Sequence, residues 1–114
     1  MHNFSDLNKE LSNLYKEYTG RGPKYIKSYF VDDVLIIKIN WYEEKIFNKI
    51  ANDEHGKNVV KTTYKNILKY WGEEAKKAIE NVTGIDVLGM YFDEEMALLN
   101  NDKVVVFLLN NTLN

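Results

Sequence analysis

Phe4, Leu7, Leu11, Leu14, Tyr15 and Tyr18 recur three to four residues apart, with Lys9, Glu10, Lys16 and Glu17 between them. That period predicts an amphipathic helix over 3–18. Asn3 or Ser5 can cap its start, and Gly20 suits its end because glycine takes the left-handed conformation without a Cβ penalty. Pro23 bars further helix and makes Gly22 extended. Two runs rich in aromatic and β-branched residues follow, 25–31 and 34–39, and read as strands. Asp32 and Asp33 between them have the length of a hairpin loop. Residues 42–51 predict a short helix with Ile46, Phe47 and Ile50 on one side, and 52–56 its turn. From 57 to 82, Val60, Tyr64, Ile67, Trp71, Ala75, Ala78, Ile79 and Val82 share the face of a long helix. Gly72 inside it costs about 1 kcal/mol relative to alanine, so close packing or a slight bend is expected there. Residues 87–92 and 103–109 predict two more strands, joined through 93–102.

The elements run helix-hairpin, connecting helix, helix-hairpin. This predicts an α+β, two-layer domain: a four-stranded, mainly antiparallel sheet with helices on one face. An αββ pseudo-repeat is suggested by Thr19-Gly20 and Thr83-Gly84 at the two helix ends. Each is followed by a strand containing Tyr-Phe and then acids. The apolar strands constrain the other face. Leu35, Ile37 and Ile39 alternate with Val34, Ile36 and Lys38, and Val105, Phe107 and Leu109 with Val104, Val106 and Leu108. A sheet with one wet face alternates apolar and polar residues, and these strands do not. Helices, a second subunit or another partner must cover that side. A homodimer joined through the sheet is the expectation, since twofold pairing is the commonest assembly and an apolar face left in water invites association.

With 114 residues, 45% hydrophobic and 28% charged, the chain is expected to be a single domain, 1–114, able to bury a core without staples. It holds no cysteine, which removes disulfides and thiol chemistry and points to a reducing interior. No secretory signal is visible, and the longest apolar runs are strand-sized, so no transmembrane segment is expected. A net charge of −2, from 15 basic and 17 acidic residues, argues against a nucleic-acid coat but allows a local basic patch.

Candidate chemistry is sparse. His2 and His55 lack ligand-spaced partners and read as exposed bystanders. Asp32 and Asp33 are neighbours on a strand end, whose side chains diverge, so a tight turn suits them better than a metal or an acid–base pair. Asp93, Glu94 and Glu95 with Asp102 read as a solvated loop before a second acidic mouth. Gly20-Arg21-Gly22-Pro23-Lys24 could hold an anion or an acidic peptide, since Arg21 offers a planar bidentate donor. A phosphate loop, however, runs from strand to helix, and this one runs from helix to strand; a structural helix stop is the plainer reading. Lys57, Lys61, Lys65 and Lys69 follow one another at single-turn intervals and form a stripe beside the apolar face. The stripe could meet phospholipid headgroups, nucleic acid or an acidic subunit; a solvated face is again plainer. Trp41, Trp71 and most tyrosines read as core or interface anchors. No nucleophile has a histidine base, so catalysis and cofactors are not expected.

The block GRGPK…YFVDDVLIIKI, followed by the long helix, TG and a last hairpin, resembles a family of small bacterial proteins. They are named for the MpsC component of a Na+-translocating, membrane-potential-generating system and are also called YbcI-like. The resemblance rests on Gly20, Arg21, Gly22, Pro23, Lys24, Lys27, Tyr29, Asp32, Asp33 and Leu35. Gly56, Lys61, Thr83, Gly84, Val87, Asp93 and Phe107 follow at compatible spacing. It covers nearly the whole chain. The sequence departs from the family pattern at Asn40-Trp41-Tyr42, where a Gly-x-Leu-Thr stretch is usual. It departs again along the long helix, whose cations here are lysines rather than arginines. The resemblance implies a cytoplasmic accessory module, peripheral to the membrane and associated with a cation or bicarbonate transport system. Arg21, Lys24 and the lysine stripe would be its contact residues, and Gly20, Gly22, Pro23, Asp32, Asp33 and Gly84 its structural motif. The alternative is a regulator binding anions, nucleotides or nucleic acid through Lys57, Lys61, Lys65 and Lys69. Nucleic acid is not the expected partner.

Overall fold

The computed structural model describes residues 4–40, 45–92 and 102–112. Helix α1 spans Phe4–Thr19, strand β1 Tyr25–Val31, β2 Val34–Asn40, helix α2 Lys45–Ile50, α3 Glu54–Thr83, β3 Val87–Phe92 and β4 Asp102–Leu109. The strands form one sheet in the order β1-β2-β4-β3, and every pairing is antiparallel. The α+β, two-layer reading holds, with the sheet wholly rather than mainly antiparallel.

The core lies between the sheet and α1 and α3. Leu35, Ile37 and Ile39 of β2, with Val105, Phe107 and Leu109 of β4, point inward and are buried. They meet Leu7, Leu11 and Tyr15 of α1 and Leu68, Trp71, Ala75 and Ile79 of α3. Leu68 belongs to the α3 face together with the predicted stripe, because it sits one turn from both Tyr64 and Trp71. The Ser28 hydroxyl donates to Asn8 and fastens α1 over β1. Gly72 brings β3 against α3: a Cβ there would stand 1.9 Å from the Met90 sulfur. Close packing, not a bend, is therefore what this glycine serves.

Two helix boundaries differ from the pattern. α3 begins at Glu54, so His55 and Gly56 lie in its first turn rather than in the preceding loop. The cause is Asp53, which caps the helix by accepting from the Gly56 N–H at 2.7 Å. α2 ends at Ile50, one residue before the expected end, and none of its described residues, Lys45–Ile50, is buried. Phe47 makes an edge contact with the Tyr64 ring, centroids 5.2 Å apart, while Ile46 and Ile50 stay exposed. Through that ring contact α2 leans on α3. The predicted start of this helix at 42, together with Trp41, His2 and the acids Asp93, Glu94 and Glu95, lies outside the described residues.

The two αββ halves end their helices alike. Thr19 and Thr83 each donate a hydroxyl proton to the carbonyl four residues back. Gly20 and Gly84 then take φ of 84° and 73°, and each N–H donates at 2.8 Å to a carbonyl four residues earlier. The hairpins meet through β2 and β4 at the centre of the sheet and leave β1 and β3 as edges, an arrangement with twofold pseudo-symmetry.

Candidate functional site

The side of the sheet away from the helices is built from alternate residues of the same strands. Among the described residues no helix packs on it. Nearest the hairpin turn, Val31, Val34 and Leu108 stand side by side, with Gly89 at the far edge. The next row reads Tyr29, Ile36, Val106, Tyr91. The Tyr29-Phe30 and Tyr91-Phe92 pairs occupy matching places in the two hairpins: each tyrosine faces outward, and each phenylalanine packs against the core. The third row holds Lys27, Lys38 and Val104, and the last Tyr25, Asn40 and Asp102. Val31 is 57% exposed, Tyr91 61% and Leu88, at the register shift of β3, 61%. Strands about 4.8 Å apart and six to eight residues long give a face of about 500 Å², of which the two apolar rows make up about half.

One end of this face is polar. Asp102 accepts from the Tyr25 hydroxyl and from the Asn40 amide at 2.7 Å, and Lys38 lies 3.9 Å away. The Tyr25 hydroxyl, then the Asn40 amide, hold the Asp102 carboxyl below its ordinary range, and the charges of Lys38 and Lys103 add to this. The same hydrogen bond pushes the Tyr25 phenol up. Lys27 and Lys38 are directly paired across β1 and β2, an unfavourable opposition of like charges. Asp102 relieves it on one side, and on the other Lys27 sits 5.0 Å from the Tyr25 ring centre, in cation–π range. On the inner side of the same strand end, Lys103 is 3% exposed and 5.4 Å from the Tyr64 ring. Burial lowers its pKa, against the pull of Asp102.

The Gly20–Lys24 loop borders this polar end, because the Lys24 N–H donates to the Asn40 carbonyl at 3.2 Å. Arg21 and Lys24 are exposed on it, and each makes contacts of its own. The positive φ of Gly20 requires glycine, whereas Gly22 has open space where a Cβ would go and no left-handed φ. Asp32 and Asp33 form the exposed β1–β2 turn. Asp32 adopts φ 55°, and the Asp33 carbonyl accepts from Leu109 N–H at 2.7 Å. These contacts lock the hairpin to β4, a turn role.

The lysine stripe is far from this face. Lys57, Lys65 and Lys69 are exposed on α3 and Lys61 is half-buried; Lys61 and Lys65 already engage neighbours. The structure therefore brings Arg21 and Lys24 to the border of the sheet's open face and leaves the stripe on the helical layer. An open groove of about 600 Å³ between α1 and α3 is lined by Glu10, Asn13, Leu14, Glu17, Glu74, Lys77 and Ala78. At its border Tyr18 donates to Glu74; burial and then that hydrogen bond push the Tyr18 phenol up to about 12. The Tyr25–Asn40–Asp102 cluster escaped sequence reasoning. Its only trace was polar residues at outward positions on strand ends that are otherwise apolar.

Fold and surface together define a small α+β domain whose sheet has one face filled by helices and the other, uncovered among the described residues, apolar at one end and polar at the other. The profile of the family described as Na+-translocating membrane potential-generating system (MpsC) matches residues 4–111, nearly the whole chain. The protein belongs to the MpsC family. No curated protein and no solved structure matches it.

Proposed function

We propose that this protein is a cytoplasmic accessory module that works by protein contact rather than by catalysis. Its place is beside a membrane cation or bicarbonate transport assembly of the kind its family is named for. The observation that carries this reading is the open sheet face, where Tyr29, Val31, Val34, Ile36, Val106, Leu108 and Tyr91 stand outward without a helix over them among the described residues. Keeping that much apolar surface in water is unfavourable, and its burial against protein supplies the driving force for association. No helix of the described residues is long and apolar enough to cross a membrane, so attachment would be peripheral. The loop with Arg21 and Lys24, at the polar border of the face, supplies the contact to the membrane assembly. The phosphate-binding alternative draws less support, since its lysines lie on α3 in the helical layer, away from the open face.

Tagged protein co-purified with native membranes tests this reading. Arg21→Ala with Lys24→Ala is expected to lower the recovered amount several-fold while leaving the melting curve unchanged, both side chains being exposed. Recovery equal to that of the parent protein would remove the loop from the contact, and absence of the parent from membranes would remove the reading.

A further inference from the structure

We propose that the tip formed by α2 and the first turns of α3 docks on an anionic phospholipid surface, with Lys45 and Lys49 meeting lipid phosphates and Ile46 and Ile50 entering the headgroup layer. This goes beyond the protein contact read from the sheet, since it concerns the helical layer and a different partner.

Strand register and helix length carry this tip past the body of the fold. The last turn of α3 lies at the hairpin-turn end of the sheet, because β3 follows it and Val87 pairs with Leu109. Tyr64 is level with the opposite, polar end, where the Lys103 ammonium sits 5.4 Å from its ring. Residues 54–63 therefore run on beyond the sheet for about 15 Å, at about 1.5 Å per residue. α2 is held beside them through Phe47 and Tyr64. Its surface divides into two strips: Lys45 and Lys49 stand one turn apart, and so do Ile46 and Ile50, about 100° around the helix from them. No residue of α2 is buried; Ile46 is 63% exposed and Ile50 38%. Lys57 and Lys65 are exposed on the adjoining turns of α3.

The charge of the chain is divided between the same two ends. Residues 20–27, 38–70 and 91–103, which run into the polar end and the tip, hold eleven cations and eight acids. The remainder holds four cations and nine acids, among them Asp32, Asp33 and Asp86 at the hairpin-turn end. An anionic surface thus attracts the tip and repels the far end, which orients the molecule before contact. The isoleucines decide between anionic partners. A bilayer takes lysines at its phosphates and apolar side chains just beneath them. A nucleic-acid phosphate backbone offers the isoleucines nothing apolar and leaves them in water.

Purified protein floated with protein-free vesicles tests the proposal and separates lipid from an acidic protein partner. The vesicles are phosphatidylcholine alone or mixed equally with phosphatidylglycerol. Binding to the anionic vesicles is expected to be about tenfold or more tighter than to the neutral ones, and to weaken as salt screens the charges. Lys45→Gln with Lys49→Gln should weaken it about tenfold or more, each lysine near such a surface being worth about fivefold. Ile46→Ser with Ile50→Ser should weaken it several-fold while the protein stays folded by circular dichroism, since neither side chain belongs to the core. Because the chain has no cysteine, a polarity-sensitive dye can be attached to Ile46→Cys and, near the far end of the sheet, to the exposed site of Leu88→Cys. It should brighten on anionic vesicles in the first variant only. Absence of wild-type binding to anionic vesicles would overturn the proposal, as would equal binding to neutral ones, unchanged binding by either double variant, or equal brightening at both dye sites. Displacement by duplex DNA at matched phosphate concentration would assign the tip to nucleic acid and overturn it as well. Failure on vesicles with native-membrane recovery still dependent on Arg21 and Lys24 would strike the lipid contact alone. Vesicle binding without that dependence would strike the loop and leave the lipid contact.

Discussion

Trp71→Ala is expected to lower the free energy of unfolding by about 3–5 kcal/mol, the usual cost of emptying a fully buried aromatic site. A domain of this size has about 5–15 kcal/mol in total, so the variant would retain a small margin or none. Trp71 is 1% exposed and belongs to the single cluster in which α1, α3 and the sheet meet. Its removal opens a cavity that three elements border, and rigid strands on one side limit collapse into it. A second variant separates volume from polarity. The Trp71 indole N–H is buried without a hydrogen-bond partner among the described residues, so Trp71→Phe loses volume but also removes an unsatisfied donor. Its cost should be well under half that of alanine. Urea unfolding followed by circular dichroism checks both: the midpoint should fall in the order wild type, Phe, Ala with an unchanged slope.

Gly56→Ala should be the most damaging single-methyl addition, at about 2–4 kcal/mol. A Cβ at Gly56 would stand 1.6 Å from the Ile50 carbonyl oxygen and 2.7 Å from its carbon. Those are backbone atoms, so no rotamer change can clear them, and α2 and the start of α3 must separate. The Asp53 carboxylate that accepts from the Gly56 N–H would lose its geometry in the same movement. Alanine's better helix propensity returns at most about 1 kcal/mol. Gly22→Ala is the control: its Cβ has open space, and the change should stay within about 0.5 kcal/mol. Thermal melts of the two variants side by side would show a large fall for Gly56→Ala and almost none for Gly22→Ala.

Periodicity made α1, α3 and the four strands readable because each buries one face at its own period, and burial is what selects those residues. The two helix ends were readable for a different reason: Thr-Gly has few other uses, and Gly20 and Gly84 both take positive φ. The doubly apolar strands β2 and β4 also revealed that the sheet has a second apolar face. Where the pattern misled, the causes were local. Asp53 starts α3 three residues early through a side-chain cap, a contact that apolar spacing does not register. α2 has apolar residues at helical intervals, yet Ile46 and Ile50 stay exposed and only Phe47 packs, against Tyr64. The candidate site was only half legible. Arg21 and Lys24 stood out as charges between glycines, but the neighbours of that loop could not be read. They are Tyr25, which follows the loop directly, and Asn40 and Asp102, which are distant in sequence and brought beside Tyr25 by strand register. Lys57 to Lys69 stood out equally, and the fold places them on the other layer.

Burial of the outward sheet face against a partner, as proposed, would be reported by the face's own tyrosines. Within a single chain Tyr91 on that face and Tyr70 on the solvent side of α3 are almost equally exposed, at 61% and 62%. Hydroxyl-radical footprinting of the intact protein, read by mass spectrometry, should modify Tyr91 and Tyr29 several-fold more slowly than Tyr70. Equal rates at Tyr91 and Tyr70 would mean that the face stands open in solution and would overturn its role as a protein contact.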